Sequence, residues 1–106
     1  MIYIAGPMRG LPHYNYHSFN AAAARLRAVG HKVRNPAEIA GDYGTADDLN
    51  ADAALLARVV KQELRILSEC DSIYLLNGWQ HSEGARAELR LALDLGLDIF
   101  LEPDYP

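Results

Sequence analysis

The sequence lacks the features that mark secreted, membrane and nucleic-acid-binding proteins. It has one cysteine, Cys70, so no disulfide can form within the chain, and this favours a reducing compartment. No apolar run approaches the roughly 20 residues needed to span a bilayer, and no secretory leader follows Met1. The formal charge of −4 leaves no basic stripe for a nucleic-acid polymer. We therefore expect a cytoplasmic protein without membrane or polymer partners.

The pattern of the chain predicts one small α/β domain over residues 1–106. Of the 106 residues 50% are apolar, which is enough for a single core. Strands alternating with helices favour a small doubly wound, Rossmann- or flavodoxin-like parallel sheet of about four to five strands, with helices on both faces. Residues 36–51 have no clear period, so we expect an exposed, partly helical connection, the alternative being a lid. Strands are predicted at 2–5, 31–35, 72–76 and 98–101, and helices at about 16–29, 52–69 and 82–95.

Two glutamates fall on the apolar side of the helices predicted for them. With residues placed about 100° apart, Glu88 lies in the buried stripe of the last helix, whereas Glu83 lies on its charged face. Glu63 lies at the centre of the apolar face of the preceding helix, so both acids are predicted to point inward. The predicted stripe of the last helix is Ala85, Leu89, Ala92 and Leu95, and that of the preceding helix is Leu55, Leu56, Val59, Val60, Leu64, Ile66 and Leu67.

An inward carboxylate needs a group or a cavity to receive it. An ionised, unpaired carboxylate is costly to bury, and burial otherwise raises its pKa. Two such acids in one small domain favour a shared polar cleft, because perturbed carboxylates gather at active sites. The alternative is that each acid pairs with an arginine or lies at the edge of its stripe.

The loops after the first and third predicted strands are candidates for the rest of this cleft. In parallel α/β sheets, ligands bind outside the carboxyl ends of the strands, against helix N-termini. Residues 6–15 supply Arg9 and the flexible backbone of Gly10, and residues 77–82 end in Ser82, a residue type favoured as a helix N-cap. An arginine, a serine and a helix N-terminus suit a monophosphate.

Three segments of the chain resemble the nucleoside 2-deoxyribosyltransferase superfamily. They are YIAGPMRG at 3–10, ELRILSECDSIYLLNGW at 63–79 and SEGARAELRLALDLGLDIF at 82–100, and together they cover much of the chain. The arginine after the first strand and the serine six residues before the glutamate resemble the 2'-deoxynucleoside 5'-phosphate N-hydrolase branch. The chain is also similar to a family of small, uncharacterised phage and bacterial proteins with the signature GW-x-x-S-x-GA-x-x-E.

This resemblance implies roles for particular residues. Glu88 matches the nucleophilic glutamate of the superfamily, and Tyr3 matches a tyrosine that hydrogen-bonds near it. Glu63 falls where relatives have an aspartate, one methylene shorter, that assists the leaving base. The matched positions expected to hold the 5'-phosphate are Gly6, Arg9, Gly10, Ser82 and Gly84.

The implied reaction is cleavage or transfer of the N-glycosidic bond of a (deoxy)nucleoside 5'-monophosphate through a covalent glycosyl-enzyme. Water as acceptor makes a hydrolase, and a second base makes a transferase. No metal or organic cofactor is needed, and no ligand motif near the histidines of residues 13–17 supports a zinc site. Trp79, Tyr14 and His81 are candidates for contact with the base. Trp79 and Tyr14 could instead pack in the core or at a subunit contact, and His81 could be a loop residue with no role.

Two other functions stay open. The first is a nucleotide-binding sensor or effector domain without turnover. It is favoured by Glu63 in place of the aspartate of relatives. It is also favoured by the end of the sequence at Pro106, because relatives continue with a segment that they contribute to the site of a neighbouring subunit. A structural or assembly protein would use the inward acids to balance arginines. Because so small a sheet leaves apolar helix surface uncovered, and relatives usually form dimers or higher oligomers, we expect a homo-oligomer.

Overall fold

The computed structural model describes residues 1–103, which form a four-stranded parallel sheet with helices packed against it. The strands are β1 (Ile2–Ala5), β2 (Val33–Arg34), β3 (Ser72–Leu75) and β4 (Asp98–Leu101), and the helices are α1 (Tyr16–Ala28), α2 (Pro36–Gly41), α3 (Ala46–Ala51), α4 (Ala53–Ser68) and α5 (Glu83–Leu95). The sheet order is β2-β1-β3-β4, so the predicted α/β class is confirmed. Within residues 1–103, no helix has the length and apolar character needed to cross a bilayer.

Alternation along β1 divides the core between the two faces of the sheet. Ile2 and Ile4 pack with Phe19 of α1 on one face. Tyr3 and Ala5 point to the other face, where they join buried side chains of α4 and α5. Tyr3 is fully buried, so its phenol reaches the layer that contains both acid-bearing helices.

The helices that carry the two acids begin at side-chain caps. Asp52 caps α4 by accepting a hydrogen bond from the backbone N–H of Leu55 at 3.1 Å. Ser82 caps α5 in the same way, with its Oγ accepting from the N–H of Ala85 at 3.2 Å. These caps fix the start of each helix within one residue of its predicted position.

Residues 36–51 form α2, a short loop and α3, so the prediction of a partly helical connection is confirmed, but the connection is only partly exposed because one side of each helix is buried. Asn35 caps α2 through its Oδ1, which accepts from Ala37 N–H at 3.0 Å. Thr45 and Asp48 form a capping box at the start of α3. Each helix is only six residues long, too short for a period to stand out in the sequence. The inward side chains are Ile39, Ala40 and Leu49, all buried.

The edge strand β4 is more exposed to solvent than expected for a strand with helices packed on both faces of the sheet. All four of its residues are exposed, with Phe100 at 50% and Leu101 at 62%. Leu95 was predicted in the buried stripe of α5 but is 48% exposed. It follows Ala92, the last buried residue of that helix, and joins none of the core clusters of residues 1–103.

Candidate active site

A cavity of about 600 Å³ lies between the loop after β1, the N-terminus of α5 and one face of α4. It is at the carboxyl ends of β1 and β3, the edge expected from the topology. Its volume is within the range of small-molecule sites. The polar residues that line it include Arg9, Glu63, His81, Ser82 and Glu88, and the apolar ones include Tyr14, Leu49, Leu56, Val60 and Leu64.

Glu88, in the second turn of α5, is held by the sheet beneath it. The Tyr3 hydroxyl donates a hydrogen bond to Glu88 Oε2. Burial raises the pKa of Glu88 to about 7, while the Tyr3 hydrogen bond and the charge of Arg9 limit the rise. Burial and then the charge of Glu88 raise the pKa of Tyr3, so the phenol keeps its proton and remains a donor. Among the hydrogen bonds of residues 1–103, none reaches Glu88 Oε1.

Glu63, on α4, lines the same cavity and keeps its proton to higher pH. Burial raises the pKa of Glu63 to about 8, the charge of Glu88 adds to the rise, and Arg9 opposes it. Since Glu88 ionises first, its charge then disfavours ionisation of Glu63. None of the ion pairs among residues 1–103 involves either acid, so the alternative that each pairs with an arginine was wrong.

Arg9 and the start of α5 form the cationic side of the cavity. The Nη2 of Arg9 is 4.0 Å from the point where a Cβ on Gly84 would stand, and Ser82 Oγ is 3.9 Å from that point. The missing side chain of Gly84 therefore leaves the space between Arg9 and Ser82 open. Arg9 makes no ion pair with the other residues in the range 1–103. An anion could meet the guanidinium and the free amides of the helix N-terminus together.

The two glycines of the first loop have structural roles that differ from each other. Gly6 lines the cavity, and a Cβ there would stand 2.7 Å from Leu76 Cβ, so only glycine allows the loop to pack so closely on the end of β3. Gly10 has φ +84, which favours glycine, and sits in the turn after Arg9. Gly10 is absent from the cavity lining, so it shapes the loop without contacting the cavity.

The three candidates for base contact lie in different places. His81 lines the cavity and is exposed to solvent. Tyr14 lines it with a buried ring, and its hydroxyl donates to Asn50 Oδ1 at 2.6 Å. Trp79 does not line this cavity, because it packs against the core cluster between the sheet and α4 and α5 and borders a separate cavity of about 350 Å³. The structure therefore agrees with the alternative of core packing for Trp79.

A left-handed turn that the sequence pattern did not predict positions Tyr14. His13, Tyr14 and Asn15 have φ of 51°, 54° and 57°, and this conformation costs about 1–2 kcal/mol for each non-glycine residue. Asn15 Nδ2 donates to the carbonyl of Pro7 at 2.8 Å, which ties the turn to the loop after β1. The local signals are His13 and Asn15, two residue types that are enriched at positive φ.

The apolar wall of the cavity was also missed, because its side chains were assigned to the core. Leu56, Val60 and Leu64 of α4 are only partly buried, and they line the cavity together with Glu63. Helical periodicity predicts which side of α4 faces inward, but it does not distinguish a packed core from a cavity wall.

These features define a small parallel α/β protein with a two-carboxyl cleft beside a cationic helix N-terminus. The chain belongs to the family described as Domain of unknown function (DUF4406), which matches residues 1–101. That description assigns no activity to the family. No curated protein matches the chain.

Proposed function

We propose that this protein cleaves or transfers the N-glycosidic bond of a (deoxy)nucleoside 5'-monophosphate, with Glu88 as the nucleophile. The observation that carries the proposal is the placement of two carboxyl groups in one cavity, of which Glu88 alone accepts a hydrogen bond from Tyr3. This hydrogen bond favours the ionised form of Glu88, whereas burial and the charge of Glu88 favour the protonated form of Glu63. One ionised and one protonated carboxyl group are what nucleophilic and acid catalysis at one bond require. The resemblance to nucleoside 2-deoxyribosyltransferases supplies the substrate class.

In the first step, Glu88 replaces the base on the sugar. Positive charge develops at C1' as the bond to the base nitrogen breaks, and the anionic carboxylate stabilises it. Oε1 of Glu88 then bonds to C1', while the electron pair of the broken bond leaves with the base. Tyr3 keeps the carboxylate oriented through Oε2, so the nucleophilic oxygen is the one without a donor from residues 1–103.

Glu63 acts as the general acid in the first step and as the general base in the second. It gives its proton to the departing base nitrogen, and the resulting carboxylate later takes a proton from the water that attacks C1'. That attack breaks the ester and restores ionised Glu88. A second base as acceptor would complete a transfer instead. Because Glu88 must be ionised and Glu63 protonated, activity should be greatest between about pH 7 and 8.

The remaining cavity residues have the chemistry to hold the rest of a nucleotide. Arg9 and the amides at the start of α5 suit a 5'-phosphate. Tyr14, Leu56 and Val60 provide an apolar surface for a base. No step in this scheme uses a metal or an organic cofactor. A cytoplasmic location and a homo-oligomeric state remain predictions, and the exposed apolar side chains of β4 favour the second of them.

A panel of deoxy- and ribonucleosides and their 5'-monophosphates, with free base followed by chromatography, tests the proposal. We expect release of base from at least one monophosphate. Calorimetry on the same panel covers the alternatives: binding without release would favour a sensor or effector domain, and neither binding nor release would favour a structural or assembly protein.

The phosphate site gives a prediction for Arg9. We expect Arg9→Gln to raise KM for a monophosphate about 10- to 100-fold, since a charge-assisted hydrogen bond is lost, and to leave KM for the matching nucleoside nearly unchanged. Loss of the Arg9 charge should also raise the pKa of Glu88 and Glu63, which moves the pH profile of both substrates by the same amount. The matched control is Arg86→Gln, an exposed arginine of α5 outside the cavity lining. An equal change of KM for nucleoside and nucleotide in Arg9→Gln would contradict a phosphate site.

A further inference from the structure

The lining of the active-site cavity divides into a polar half and an apolar half. Among residues 1–103, the polar half comes from the loop after β1 and the start of α5, and it includes Arg9, Ser82 and Glu88. The apolar half comes from α1, α2, α3 and α4. Its main members are Phe19, Ala40, Leu49, Leu56, Val60 and Leu64. A ligand that fills the cavity therefore meets charged groups on one side and an apolar wall on the other.

The apolar half has few groups that can bond to a polar ligand. Tyr14 lines the cavity beside it, but its hydroxyl donates to Asn50 Oδ1 at 2.6 Å. The backbone groups of Leu56 and Val60 lie within α4, where the hydrogen bonds of the helix use them. Among the α4 residues that line the cavity, Glu63 alone has a polar side chain.

Glu63 also shows which half of the cavity would hold the base. It follows Leu56 by seven residues and Val60 by three, and side chains at this spacing share one face of a helix. Under the proposed function, Glu63 gives its proton to the departing base, so the base must lie against Glu63. The base therefore also lies against Leu56 and Val60, while Arg9 in the polar half meets the phosphate.

We propose that the apolar half selects the base by its shape and apolar surface and not by hydrogen bonds to its edge, so the preferred substrates carry an apolar substituent on the base. The inference rests on the proposed function, because that function places a base beside Glu63. A hydrogen-bonding edge turned toward this wall would lose its bonds to water and gain none in exchange. An apolar substituent there would instead leave water at no such cost.

Affinities measured by calorimetry on Glu88→Gln test the inference, because this variant should bind nucleotides without cleaving them. Deoxycytidine and deoxyuridine 5'-monophosphates differ only on the hydrogen-bonding edge of the base, so we expect their Kd values to agree within about fivefold. Thymidine 5'-monophosphate has one more methyl group than deoxyuridine 5'-monophosphate and should bind about fourfold more tightly. A propynyl group at the same ring position should give a gain of about tenfold.

Val60→Asn, made in the same Glu88→Gln protein, places a polar side chain in the apolar half at a partly buried position. It should reduce the gain from the methyl or propynyl group to less than about twofold. The matched control is Val29→Asn, because Val29 is 74% exposed at the end of α1 and lies outside the cavity lining. If Val60→Asn does not fold, the ligand series on Glu88→Gln decides by itself.

The outcomes separate this inference from the proposed function. If base is released but the deoxycytidine and deoxyuridine monophosphates differ by more than about fivefold in Kd, or the methyl group brings no gain, the inference fails and the proposed function stands. If no nucleotide binds, the proposed function fails, and hexyl phosphate and methyl phosphate then test the apolar half alone on the wild-type protein. Tighter binding of hexyl phosphate that is lost in Val60→Asn supports selection by the apolar half. Equal binding of the two, or a preference that Val60→Asn retains, overturns it.

Discussion

Glu88→Gln is expected to lower base release by about a thousandfold or more, because the amide cannot form the glycosyl ester and carries no charge to stabilise C1'. The variant should fold. Burial already disfavours the charge of Glu88, and glutamine has nearly the same shape, with a carbonyl oxygen that can accept the Tyr3 hydrogen bond. Initial rates of base release at about pH 7.5, together with Tm, measure both effects.

A second measurement looks for the covalent step itself. Intact-mass spectrometry after acid quenching should detect a sugar-phosphate adduct on the wild-type protein, and none on Glu88→Gln. The matched control is Asp94→Asn, which removes an exposed carboxylate from the same helix outside the cavity lining and should retain full activity. Base release within about tenfold of wild type in Glu88→Gln would exclude Glu88 as the nucleophile.

Helical periodicity was sufficient to find the two acids. Glu63 and Glu88 lie on the apolar sides of α4 and α5, and these helices pack on the same face of the sheet, so side chains from both reach one cavity. The alternation of strands and helices predicted the parallel sheet. Periodicity does not give the distance between two helices. For this reason an ion pair with an arginine remained an alternative to the shared cleft that the two inward acids favoured.

The errors arose where tertiary contacts override local pattern. The turn at His13–Asn15 adopts positive φ because Asn15 bonds to a carbonyl eight residues earlier and Tyr14 is buried, and neither contact is visible in a local window. Leu95 has the spacing of a buried residue but is about half exposed, because the other residues of the range 1–103 do not bring it into a core cluster. Trp79 lies in a loop beside the cleft in sequence, yet its side chain packs elsewhere.

The second large effect is expected on the free energy of unfolding, where the buried Glu63 carboxyl group makes stability depend on pH. This effect does not depend on whether the protein has a substrate. In the unfolded chain a glutamate titrates near about 4.3, whereas the pKa of Glu63 in the folded protein is raised to about 8. Between these values the folded state binds more protons than the unfolded state. The contribution of Glu63 to the free energy of unfolding therefore falls as pH rises from about 4.5 to 8 and stays level above that.

Glu63→Gln removes this term, because glutamine is neutral at every pH. We expect the variant to match the wild type at about pH 4.5 and to be more stable by about 2 kcal/mol at pH 9, less than the full shift implies because solvent reaches the cavity. Urea denaturation at several pH values measures the difference. Glu69→Gln, an exposed glutamate at the end of the same helix, is the matched control and should change stability little at any pH. A Glu63→Gln protein that is less stable than wild type at pH 9 would mean that the carboxylate is paired and stabilising, which would remove the acid from the proposed mechanism.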